Sequence, residues 1–168
     1  MMDYMLGCSP ACLFRPLPLL IAMAAGIAPY HCQSAARPSQ TIASERSLLA
    51  GSFASEKLWL WQRRLNLQEW NISVVVSRAS ELKPKTLGNI HWDRDKKTAV
   101  IRILDPADYR LPFAPMLRDI EFTVVHELIH LEIAPVLADL QRTDANRVEE
   151  EHAVNHLADA LLMLDRGQ

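Results

Sequence analysis

The sequence predicts a single α+β domain, and three features lead there. A stretch with helical spacing opens the body of the chain near Ser44, three short strand-like runs follow between Trp70 and Leu104, and two further helical stretches close it after a proline-rich loop. With 168 residues, 49% hydrophobic and 23% charged, the chain is long enough for one domain with a core and too short for two comfortable ones. The expected arrangement is a small, mostly antiparallel sheet of about three strands packed on the two C-terminal helices, with an N-terminal helix beside them and a cleft between sheet and helices.

Residues 1–42 stand apart as a leader, and residues 43–168 form the domain. The run "PLPLLIAMAAGIAPYHC" from Pro16 to Cys32 is apolar, and the only charges before Ser44 are Asp3, Arg15 and Arg37. About fourteen apolar residues interrupted by proline are too few for a stable membrane span, which needs about twenty. The segment reads as a disordered leader, as an extension from an upstream start codon, or as a signal peptide cleaved after Ser34-Ala35-Ala36. Asp3 and Arg15 cancel in the n-region, which favours a soluble intracellular protein over an exported one. Cys8, Cys12 and Cys32 all lie in this leader, so a metal site in the body must use His, Asp and Glu.

In the body, "SERSLLAGSFASEKLWLWQRRLNLQ" places Ala54, Leu58, Trp61 and Leu65 on one helical face, with Gly51 weakening the first half. "WNISVVV" alternates Trp70, Ile72, Val74 and Val76 against Asn71, Ser73 and Val75, as a half-buried strand does. "TLGNIHW" and "TAVIRIL" flank the charged "DRDKK" and predict a hairpin. After "DPADYRLPFAP", a helix is expected from about Asp119 to Ala134, where Pro135 forbids extension. It is apolar on every side, from Ile120 to Ile133, and is therefore expected at the centre of the molecule. The last helix is expected to begin with Asp144 as N-cap and to bury Val148, Val154, Leu157, Ala158, Leu161 and Leu162.

A formal net charge of −2 gives no global electrostatic reason to bind nucleic acid or an anionic membrane surface. The chemistry is concentrated instead in "VVHELIH", residues 124–130 of the central helix. His126 and His130, four residues apart, have Cβ atoms about 6 Å apart on one face. Both imidazoles can therefore reach one ion at Zn–N distances of about 2.0–2.1 Å. Glu127 is rotated away from that face and stands beside the ion, where a general base for water is needed. With six His and ten Glu in 168 residues, a chance His-Glu-x-x-His string is expected on the order of one in a hundred times.

A catalytic zinc needs a third protein ligand and keeps a position for water. "NRVEEEHAVNHLADALL" offers several. Helical phase puts Glu151 on the stripe with Val154, Asn155 and Ala158, leaves Glu150 at its border, and places His152 and His156 on a more polar face. Asn155, one turn after Glu151, is positioned to orient one of the histidines. Candidates for stabilising a tetrahedral oxyanion are Tyr109, Arg147, His152 and His156.

"HELIH", followed some twenty residues later by "EEEHAVNHLADALL", resembles the zincin metallopeptidases of the glutamate-ligand branch, the gluzincins. It is similar in particular to small prokaryotic minimal gluzincins, to ImmA/IrrE-type regulatory peptidases and to phage-like metallopeptidases. The resemblance implies Zn2+ bound by His126, His130 and Glu151, with Glu127 activating water for hydrolysis of a peptide or protein substrate, in an endopeptidase rather than an exopeptidase. It also implies that "TLGNIHW" is the edge strand beside which an extended peptide lies. The alternative expectation is a non-catalytic, zinc-stabilised regulatory or binding module, whose fourth metal position would be closed by a residue such as His152.

Overall fold

The computed structural model describes residues 38–168. The leader's apolar run, its cysteines and the cleavage site lie outside the described residues. The elements are α1 (Pro38–Arg64), β1 (Asn71–Ser77), β2 (Gly88–Asp93), β3 (Thr98–Leu104), α2 (Phe113–Leu137) and α3 (Asp144–Asp165), with short 3-10 turns at Ala79–Glu81 and Pro106–Asp108. This is the expected α+β order. No helix among the described residues is long and apolar enough to cross a membrane.

α1 buries Ala50, Ala54, Leu58 and Trp61, each a turn from the next, while Leu65 just beyond it is half-buried. The helix begins six residues before Ser44 and takes in residues 38–42 of the expected leader. Pro38 suits a first helical position because its N–H would have no partner there. Gly51 does not interrupt the helix and faces Val76 of β1.

β1 alternates as expected, with Ile72, Val74 and Val76 against the core and Asn71, Ser73 and Val75 exposed. "DRDKK" makes the hairpin turn: Asp93 Oδ1 accepts from the backbone N–H groups of Asp95 and Lys96, each at 3.1 Å. The sheet is mixed, where a mostly antiparallel one was expected. Its order is β1-β3-β2, with β3 antiparallel to β2 and parallel to β1. Residues 78–87 carry the chain past the central position, which β3 then fills. Strand composition accounts for this: β3 buries Ala99, Ile101 and Ile103, while the polar "GNIHWD" of β2 tolerates an open edge.

α2 is the central element, as its all-round apolarity predicts. Met116, Ile120, Val124, Val125 and Leu128 are fully buried, and the helix touches α1, α3, β2 and β3. It starts at Phe113 instead of Asp119, because Pro112 caps it and Pro115 falls in the first turn, where backbone N–H groups need no helical acceptor. It also passes Pro135 and ends at Leu137, since a proline in the last turn removes one hydrogen bond and little else remains to be broken.

α3 begins at Asp144, and its N-cap is Thr143, whose hydroxyl accepts from Asn146 N–H at 3.1 Å. Its buried column is Val154, Ala158 and Leu162, with Leu161 half-buried. Val148 and Leu157 were expected inside but are 52% and 48% exposed, because the buried column advances by four and leaves both to one side.

One buried carboxylate binds the three helices together. Glu121 on α2, 7% exposed, accepts from Trp61 Nε1 at 3.4 Å and pairs with Lys57 Nζ at 3.2 Å and Arg166 Nη2 at 3.1 Å. Glu121→Ala leaves the indole N–H unpaired and two cations without a partner. Lys57 and Arg166 keep some access to water, so we expect a loss of about 1–3 kcal/mol in urea unfolding, less than for a fully enclosed pair.

Candidate metal centre

The site forms where α2, α3 and the edge strand β2 meet. His126 and His130 project from one face of α2, with side chains 15% and 11% exposed. Their Nε2 atoms are 3.1 Å apart. Glu151 of α3 reaches across, with Oε2 3.3 Å from His126 Nε2 and Oε1 3.5 Å from His130 Nε2. The three residues expected from the spacing are thus brought together, and among the described residues they form the one His/Cys/Asp/Glu group of this kind.

The other ring nitrogens are fixed from behind. Asn155 Oδ1 lies 3.1 Å from His126 Nδ1, and Glu150 Oε1 lies 3.0 Å from His130 Nδ1. Both partners are acceptors, so each Nδ1 carries the hydrogen and each Nε2 presents a lone pair. Two imidazole lone pairs and a carboxylate then face one another, a donor set of the kind that can hold a cation. In a tetrahedral zinc site with bonds of about 2.0–2.1 Å, ligand atoms stand roughly 3.3 Å apart. The two Nε2 atoms are 3.1 Å apart and each has a different Glu151 oxygen close by, at 3.3 and 3.5 Å, and one donor atom from each residue lies within 4.8 Å of the others, so the donor set is compatible with the ion. Burial first, and repulsion between the two rings if both are protonated second, lower the pKa of His126 and so favour its neutral form.

Glu150, which helical phase leaves open as a ligand, is held away from the Nε2 pair. Its second oxygen pairs with Arg142 in the α2–α3 loop, and its side chain is 11% exposed. It begins the column that continues through Val154, Ala158 and Leu162, each four residues on, and that periodicity was the signal available for it.

Glu127 is 6% exposed and lines the same cleft, of about 480 Å³. Burial first, and the charge of Glu151 second, push its carboxyl up to about 8, with Lys83 opposing. A cation at the histidine pair would offset the second cause and favour the ionised form.

Gly88 at the start of β2 covers this carboxylate. A Cβ there would stand 2.6 Å from the carbonyl oxygen of Arg102, collide with the Thr123 methyl, and lie 3.6 Å from Glu127 Oε1. Only glycine lets the edge strand approach α2 so closely. Gly88→Ala should therefore lower stability by about 1–3 kcal/mol in urea unfolding, the usual range for overpacking.

Of the four oxyanion candidates, Arg147 alone lines the cleft, together with Asn155, Lys83, Lys85 and Arg142. His152 and His156 are exposed on α3. Tyr109 packs against the core instead, where burial pushes its phenol up to about 12. Nothing in the spacing of the sequence pointed to the cations contributed by the loop before β2. Comparison with known protein families, with characterised proteins and with solved structures gives no match.

Proposed function

We propose that this chain is a zinc-dependent peptidase of the gluzincin kind, with His126, His130 and Glu151 holding Zn2+ and Glu127 acting as general base. One observation carries the reading: three acceptor groups from two helices converge within 3.1–3.5 Å, each imidazole oriented by a hydrogen bond from its far side. Zinc would supply Lewis acidity there, acidifying water and polarising a carbonyl.

The residues of the chain do the rest. Glu127 takes the proton of the attacking water and passes it to the leaving amine. Its low exposure keeps bulk water from competing for that proton. β2 offers a template for an extended peptide: Leu104 N–H donates to Leu87 C=O at 2.9 Å. In an antiparallel ladder the alternate residues Gly88, Ile90 and Trp92 then turn their backbone groups outward, along the cleft. Arg147, which lines the cleft, is the candidate for stabilising the oxyanion.

The binding-module alternative needs a closed fourth position, and the convergent group of the described residues contains three members, with His152 exposed elsewhere on α3. The function is tested on a mixed peptide pool read by mass spectrometry. Cleavage by the zinc-loaded chain should stop after dialysis against chelator and return with zinc. Cleavage that persists at full rate in chelator would overturn the proposal.

A further inference from the structure

The cleft carries more positive charge than its own carboxylates use. Lys83 and Lys85 line it at the end where β2 begins, beside Gly88 and Thr123. Arg94 follows directly on the end of β2 and borders an adjoining hollow shared with Trp92, His130 and Arg142, while Arg147 lines the cleft from α3. None of these four cations takes part in the ion pairs found among the described residues. Two of the cleft's carboxylates are committed elsewhere, Glu150 to Arg142 and His130 and Glu151 to the facing Nε2 atoms, while the buried Glu127 feels Lys83 without forming an ion pair with it. This rim runs against the charge of the chain as a whole, which is −2.

We propose that the rim selects peptides with acidic side chains on both sides of the bond to be cut. The proposal rests on the peptidase reading of the same site. A peptide lying along β2 passes Lys83 and Lys85 where the strand begins and Arg94 where it ends, with Trp92, 38% exposed, between them and Arg147 lining the cleft from α3. Carboxylates on either side of the central residues meet unpaired cations, and basic side chains at those positions meet like charge. These contacts are solvent-accessible, so the preference is carried by a screened field and weakens with salt.

The test uses three fluorescently labelled peptides with one common apolar centre, flanked on both sides by Glu, Gln or Lys. Binding is read by anisotropy on the zinc-loaded full chain carrying Glu127→Gln, so that it does not depend on turnover. The Glu-flanked peptide should bind at least about tenfold more tightly than the Gln-flanked one at low salt, with the Lys-flanked one weakest, and the gap should shrink as salt rises. Lys85→Glu combined with Arg147→Glu should remove or reverse the order, while the circular dichroism spectrum stays that of the parent. Equal or undetectable binding of all three, or a preference insensitive to salt, overturns the proposal. Hydrolysis by the wild-type chain is followed in parallel. Cleavage of all three at equal rates refutes the selectivity and leaves the peptidase reading standing. The expected binding order with no cleavage of any supports the selectivity and counts against the peptidase.

Discussion

Glu127→Gln should bind zinc as the wild type does and lose hydrolysis by about 10²–10⁴-fold, the range that positioned general bases supply. The substitution preserves shape at a position only 6% exposed and leaves His126, His130 and Glu151 untouched. What it removes is the ability to accept a proton. Burial pushes the Glu127 carboxyl up to about 8, so in the metal-free protein at neutral pH that carboxyl is largely uncharged and a neutral amide is a close substitute. Folding stability in chelator should therefore change little. The check is initial rates for the two proteins at matched zinc content. Unchanged turnover in Glu127→Gln would remove this residue from the mechanism.

Glu151→Ala should have its largest effect on metal-dependent stability. The Glu151 side chain is 56% exposed, so its loss in metal-free protein should be worth only a few tenths of a kcal/mol. With zinc the comparison should change, because an ion held by His126, His130 and Glu151 would tie α2 to α3 through this one carboxylate. At free zinc about a hundred times the dissociation constant, binding adds about 2.7 kcal/mol, or roughly 10 °C in melting temperature for a domain of this size. The wild type should show that shift between chelator and zinc, and Glu151→Ala should lose most of it. Glu150→Ala should keep a reduced shift, because it frees the His130 ring without removing a ligand, a change that weakens metal affinity by about 10–100-fold. An unreduced shift in Glu151→Ala would mean that the third ligand lies elsewhere.

Much of this architecture was legible because periodicity and composition agree. The all-apolar stretch around Val124 and Leu128 can only be central, and the His126–His130 spacing turns two imidazoles to one side wherever the helix sits. The alternation in β1 and the "DRDKK" turn are local matters and emerge as read. What was not legible depends on tertiary context. Strand order is not encoded in alternation, so the parallel pairing of β1 with β3 was missed. Prolines are read as breakers, yet Pro115 and Pro135 sit in the first and last turns of α2, where they break little. At the site, Glu151 was reachable from helical phase. The role of Glu150 behind His130 depends on where Arg142 holds its other oxygen, and the approach of Gly88 to Glu127 depends on how tightly β2 packs on α2.

The measurement closest to the central claim is zinc stoichiometry by elemental mass spectrometry on the wild type, Glu151→Ala and Glu150→Ala, each purified without chelator and shown to be folded. The converging Nε2 atoms and the Glu151 carboxylate predict one zinc per chain in the wild type, a sharp loss in Glu151→Ala and partial retention in Glu150→Ala. Folded wild-type protein that takes up no zinc even when it is supplied would contradict the account, leaving His126 and His130 as polar residues sharing a proton on a buried helix.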